Sequence, residues 1–199
     1  MFKVTSVNSR QILDSRGNPT VEAEIIVDDN NLGRGSVPSG ASTGALEALE
    51  LRDNNRKIFL GKSVYKAIDN INTQISKSVL NQSYTQELFD KALIDLDNTP
   101  NKERLGANAI LALSIAFANA CSRKLNKPLY QTISKSNKYS LPVPMMNVIN
   151  GGAHANNGLN FQEFMIIPIG FEKYSDSLRA GVEIFHVLKE KIEKLNMST

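Results

Sequence analysis

The segment from Thr20 to Val27 constrains the fold more than any other. Val21, Ala23, Ile25 and Val27 recur at every second position, with Glu22 and Glu24 between them. Successive side chains of an extended chain point to opposite faces, so this alternation predicts a half-buried strand with one apolar face. Lys3 to Val7 alternates more weakly and predicts a second strand. Between the two, Asp14-Ser15-Arg16-Gly17-Asn18-Pro19 is dense in turn formers. Residues 28–44 carry Gly33, Gly35, Gly40 and Gly44 and read as a loop-rich stretch.

Helical periodicity takes over after that. Ser63 stands as N-cap to a stripe of Val64, Ala67, Ile68, Ile71, Ile75 and Val79. Thr85 stands as N-cap to a second helix with Leu88, Ala92, Leu93 and Leu96 inward. A third carries Ala107, Ile110, Leu111, Ser114, Ile115 and Ala118, small residues that permit close packing, and stops before Pro128. Strands followed by helices predict an α+β domain over residues 1–138. The polar stretch from Ser134 to Ser140 reads as a linker.

Residues 139–199 follow a different pattern. Val143 to Asn150 and Phe161 to Ile169 are apolar and strand-like, and a Gly/Asn-rich loop joins them. A helix with Leu178, Val182, Phe185, Leu188, Ile192 and Leu195 as its stripe comes next. Two strands and one helix are too few to bury a sheet. The segment reads as a second domain that has barely begun.

Composition narrows the function classes. The 23 basic and 20 acidic residues are interspersed, without the basic run that tracks a nucleic-acid backbone. One cysteine excludes an intramolecular disulfide and fits a reducing compartment. Cys121 lies in an Ala-rich helical stretch and reads as a buried core residue rather than a reactive thiol. The N-terminus MFKVTSVNSR lacks the apolar core of a signal peptide, and no stretch reads as a membrane span. A soluble, cytoplasmic protein is the expectation.

Three segments could carry chemistry. In Val37-Pro38-Ser39-Gly40-Ala41-Ser42-Thr43-Gly44, Gly44 precedes Ala45 and Leu46, so a phosphate-binding loop of the Walker type fails. Pro38 stands where a dinucleotide fingerprint needs its third glycine. What remains is either an ordinary surface loop or a mobile one whose hydroxyls reach a hard cation. In Asn150-Gly151-Gly152-Ala153-His154, a histidine among glycines could clamp a substrate on a closing loop. No second His or Cys stands at zinc-ligand spacing. In Phe161-Gln162-Glu163-Phe164-Met165, a carboxylate among apolar neighbours must be paired, hydrogen-bonded or raised in pKa. It reads equally as a structural ion pair or an active-site group. Gln162 and Glu163 fall on opposite faces of a regular strand, unless a bulge or strand end relaxes this. His186 reads as a packing or surface residue.

In this order and spacing, the segments resemble the enolase family. The resemblance rests on Asp14-Ser15-Arg16-Gly17-Asn18-Pro19-Thr20-Val21-Glu22, the loop from Val37 to Gly44, and Leu49-Glu50-Leu51-Arg52-Asp53. It continues through Gly106-Ala107-Asn108-Ala109-Ile110-Leu111, Val143-Pro144, Asn150-Gly151-Gly152 with His154-Ala155, and Gln162-Glu163-Phe164-Met165-Ile166. The stretch Pro144-Met145-Met146 is more similar to bacterial than to eukaryotic members.

The resemblance implies an N-terminal capping domain followed by the first strand-strand-helix unit of a TIM-like (β/α)8 barrel, incomplete here. It implies dehydration of 2-phosphoglycerate to phosphoenolpyruvate: a lysine removes the C2 proton, the C3 hydroxyl leaves, and two Mg²⁺ ions stabilise the enediolate. The enolase superfamily is itself the reference case for this pairing of a base with Mg²⁺. By the same resemblance, Ser42 corresponds to a ligand of the second magnesium and His154 to a residue that closes over the substrate near its phosphate. Gln162 corresponds to a substrate contact, and Glu163 to a carboxylate acting with the general acid and the substrate hydroxyl.

The family's Gly-Asp-Glu-Gly-Gly motif, the primary magnesium ligands, the catalytic lysine and the phosphate-binding arginine have no counterpart in residues 1–199. The expectation is therefore a truncated, inactive chain whose full-length form is a homodimer or higher homo-oligomer. The alternative is a non-catalytic interaction fragment of the capping domain. Another enzyme of the superfamily is disfavoured, because the SGASTG and Gly-Gly-Ala-His loops resemble those of true enolases.

Overall fold

The computed structural model describes residues 1–40 and 44–195 and divides into two compact units, Met1–Asn137 and Lys138–Thr199. The first is built on an antiparallel sheet of four strands: β1 (Phe2–Leu13), β2 (Pro19–Val27), β3 (Asn31–Val37) and β4 (Ser83–Tyr84), in the order β3-β2-β1-β4. Val21, Ala23, Ile25 and Val27 are all fully buried, as the alternation in β2 predicts. Between them, Glu22 and Glu24 face a pair of arginines on the flanking strands. Arg10 Nε donates to Glu22 at 2.9 Å, and Arg34 Nη2 donates to Glu24 at 2.7 Å. These pairs hold Glu24 below the usual carboxylate range, with Arg10 the larger cause and Arg34 the next.

Strand β1 runs well beyond Lys3 to Val7, pairing down to Leu13 opposite Pro19. Its second half alternates polar with apolar too irregularly for a periodic signal. Strand β3 corrects the reading of residues 28–44 as loop. Gly33, Gly35 and Val37 form its buried face. A Cβ on Gly33 would lie 2.0 Å from the Ala116 carbonyl oxygen, and one on Gly35 2.2 Å from that of Ala112. The glycines mark a strand pressed against a helix backbone, not a turn.

That helix is α4 (Ala107–Lys124). It follows α1 (Tyr65–Asn70), a π-helical stretch Ile71–Ile75, α2 (Ser76–Val79) and α3 (Gln86–Asp97), and precedes the short α5 (Leu129–Ile133). The stripe Val64, Ala67, Ile71, Ile75 and Val79 is buried as expected. Its N-cap is not Ser63. Asp53 caps α1 from a distance, its two oxygens accepting the N–H groups of Tyr65 and Lys66 at 2.9 Å each. Thr85 does cap α3, accepting the N–H of Leu88 at 3.3 Å.

Two inward faces are shifted from their expected positions. In α3, Phe89, Leu93 and Asp97 are buried while Leu88 is half exposed. In α4 the core face is Ala109, Ile110, Ala112, Leu113, Ala116, Phe117 and Ala120; of the expected stripe Ile110 is buried, and Leu111 points outward. The first two-thirds of α4 is apolar nearly all round and offers no periodic contrast from which to choose a face. Phe117 stacks on Phe89 with ring centroids 4.3 Å apart.

The second unit holds β5 (Met146–Asn150) and β6 (Glu163–Ile166), paired antiparallel, and α6 (Tyr174–Lys194). Both strands are shorter than their apolar runs. Every buried hydrophobic side chain among the described residues belongs to the first unit. In the second, Phe161 is 72% and Ile169 74% exposed. Among the described residues no helix is long and apolar enough to cross a membrane.

Candidate active site

The backbone geometry of the β5–β6 connection is what gathers polar side chains. The N–H of Gly151 donates to the Gln162 carbonyl at 2.9 Å, and that of Gly152 to Leu159 at 2.7 Å. A Cβ on Gly151 would lie 2.3 Å from the Phe161 carbonyl oxygen. Only glycine allows the loop to fold back this tightly. Asn157 braces the turn, its side-chain amide donating to the Asn150 carbonyl at 2.8 Å. Asn157 lies in the candidate loop, but its bracing role and the steric role of Gly151 are set by the fold-back, whose one local mark is the adjacent Gly151-Gly152 pair.

The folded-back loop brings His154 to the end of β6. Its Nε2 lies 2.9 Å from the amide nitrogen of Gln162, and its Nδ1 lies 4.0 Å from a carboxylate oxygen of Glu163. With the Gln162 amide donating, Nε2 is the acceptor and the neutral ring carries its proton on Nδ1, toward Glu163. At 4.0 Å that is not a hydrogen bond; it is an ion-pair distance for a protonated ring. Gln162 precedes the first residue of β6, so the opposite-face rule for a regular strand does not govern it, and both side chains reach one imidazole.

Glu163 differs from its sequence reading in one respect. It opens the strand, opposite Asn150, with 31% of its side chain exposed, so burial within this unit does not force a partner on it. His154 also lines a cavity of about 490 Å³ together with Val148, Asn156, Phe185, Lys189 and Ile192. His186 stands outside the cluster, edge-on to Phe185. In the first unit, Cys121 is buried and its thiol is pushed up to about 12 by that burial, which makes it unreactive at neutral pH. Ser42 lies outside the described residues.

Two family models match the chain. One is described as the enolase N-terminal domain and covers residues 4–133. The other is described as the enolase C-terminal TIM barrel domain and covers residues 138–199. The chain belongs to the enolase family. An enolase of Bdellovibrio bacteriovorus is 54% identical over 200 residues, a match that takes in 100% of this chain and 47% of the relative. The chain thus spans about half the length of that enolase.

Enolases as a family use Mg²⁺. Mg²⁺ takes oxygen ligands in near-octahedral geometry, usually with one or two carboxylates. Among the described residues no group of three or more His, Cys, Asp or Glu side chains could hold a metal ion. The His154 cluster offers a single carboxylate. These residues do not form a primary magnesium site.

Proposed function

We propose that this chain forms the capping domain and the opening of the barrel of a phosphopyruvate hydratase, which dehydrates 2-phosphoglycerate to phosphoenolpyruvate. The observation that carries the reading is the convergence of Gln162 and Glu163 on His154, in a chain 54% identical to an enolase. A carboxyl and an imidazole 4.0 Å apart can share proton chemistry on a bound substrate, while an amide fixes the ring. In this reading Glu163 acts with the general acid on the substrate hydroxyl. Gln162 contacts the substrate, His154 closes over its phosphate, and Ser42 supplies a hydroxyl to the second of two magnesium ions.

On the same reading, β5, β6 and α6 are the first strand-strand-helix unit of a larger barrel. Their exposed apolar faces support this, since a barrel would cover them. The full enzyme would be a cytoplasmic, glycolytic homodimer or higher homo-oligomer, and the 199-residue chain alone would be inactive. The second reading, a non-catalytic interaction fragment, is favoured by one observation: residues Met1–Asn137 hold a complete core of their own.

A hybrid separates the two. Residues 1–199 are joined in place of the matched portion of the Bdellovibrio enolase, and phosphoenolpyruvate is followed by its absorbance. We expect turnover with Mg²⁺ that stops when EDTA removes the metal, and none from the 199-residue chain alone. Metal-independent turnover, or a folded hybrid without activity, would refute the dehydratase reading.

A further inference from the structure

We propose that a cationic cleft in the first unit binds a small phosphomonoester, independently of the His154 cluster. The cleft has a volume of about 600 Å³, within the range of small-molecule sites. Its charged lining is Arg16, Arg52, Arg56 and Lys62, joined by Asn18 and Asn54, and among the described residues no carboxylate lines it.

The neighbouring carboxylates are committed elsewhere. Glu50 accepts the Ser39 hydroxyl at 2.6 Å and pairs with Arg52 at 2.9 Å. Both oxygens of Asp53 cap α1. One oxygen of Asp14 accepts the N–H groups of Arg16 and Asn18 at 2.9 and 2.8 Å. Arg52 also ties the segments together, donating to the carbonyls of Pro19 and Lys62 at 2.6 Å each. The guanidinium of Arg16 donates to the Ser39 carbonyl, and Lys62 Nζ to the Asn18 side chain at 2.9 Å. Among the described residues, Arg56 and Lys62 have no carboxylate partner, and Arg16 lies in the field of Asp14 with its guanidinium turned to the Ser39 carbonyl.

Cations gathered in one cleft repel one another and focus a positive potential there, which an entering anion relieves. Guanidinium forks match phosphate oxygens, and a phosphomonoester brings close to two charges and three terminal oxygens to a cleft whose four cations outnumber the carboxylates near it. The volume leaves room for an organic group besides the phosphate. Leu60 stands at the rim, 85% exposed. Phe59, Leu60 and Gly61 all hold left-handed φ values of 45°, 54° and 92°. For Phe and Leu that conformation is costly and is kept only where the surroundings impose it.

The test is an amide NMR titration of the whole 199-residue chain with glycerol 3-phosphate in EDTA, with chloride holding ionic strength constant. We expect saturable shifts at Asn18, Ser39, Gly40, Asn54 and Gly61. Replacing Arg56→Gln together with Lys62→Gln should weaken binding about tenfold, the loss of charge-assisted contacts. If the double variant does not fold, Arg56→Gln alone decides, since Arg56 has no partner to lose; it should weaken binding several-fold. Shifts that do not saturate, that centre on Gly151–His154, or that survive the substitutions with unchanged affinity would overturn the proposal. Neither result bears on turnover by the hybrid, so the two proposals fail separately.

Discussion

Gly33 shows how a single residue can be visible in a sequence and still be misread. Glycine is the commonest mark of a turn, and Gly35, Gly40 and Gly44 nearby favour a loop. Its actual role is to let β3 touch the backbone of α4, and the partner surface that reveals this is more than 80 residues away. Ala112, Ala116 and Ala120, one turn apart on α4, were the other half of the signal. We predict that Gly33→Ala destabilises the chain by about 3 kcal/mol, the cost of overpacking against a backbone that cannot move aside. The measurement is the urea midpoint, which should fall with an unchanged slope. Gly17→Ala is the comparison: its φ of +75° strains an alanine, but nothing lies within 4 Å of the added Cβ. A loss at Gly33 no larger than that at Gly17 would contradict the close contact.

At the scale of elements, alternation and turn chemistry made β2 and the α1–α2 stripe legible, and Thr85 was a correct cap. The α1 cap was not legible, because Asp53 reaches it across a loop and local spacing pointed to Ser63. Burial opposes ionisation of Asp53, but the N–H of Lys66, the Ser63 hydroxyl and the N–H of Tyr65 together outweigh it and hold its carboxyl below the usual aspartate range. The folded-state value is therefore depressed. The stabilisation is fully present above the unfolded value and is lost as pH falls through the folded one. Asp53→Ala should cost about 1 kcal/mol at pH 7, a typical capping loss. Denaturation at pH 7 and below pH 3 reads it: the gap between wild type and variant should shrink in acid, as linkage requires. A gap constant with pH would mean that the carboxylate charge plays no part in the cap.

The whole molecule is divided in its energetics as well as its chain. The first unit has a contiguous core from Val4 to Cys121, and the second has no buried hydrophobic side chain among the described residues. Limited proteolysis should therefore cut residues 138–195 well before residues 1–137 in the 199-residue chain. Equal resistance of the two would show that the second unit is stable as it stands. The candidate site was legible as three residue identities, because His154, Gln162 and Glu163 sit in recognisable local segments. Their meeting was not, because it depends on the fold-back at Gly151 and on where β6 begins.

If His154, Gln162 and Glu163 belong to the working site of a phosphopyruvate hydratase, as proposed, the turnover number of the hybrid depends on them most directly. Glu163→Gln keeps the shape of the side chain and removes its proton chemistry. We predict a fall in kcat of about a hundredfold, the usual scale of a lost acid–base group, and smaller losses for His154→Ala and Ser42→Ala. Phosphoenolpyruvate formation by a folded Glu163→Gln hybrid at the unmodified rate would contradict the account.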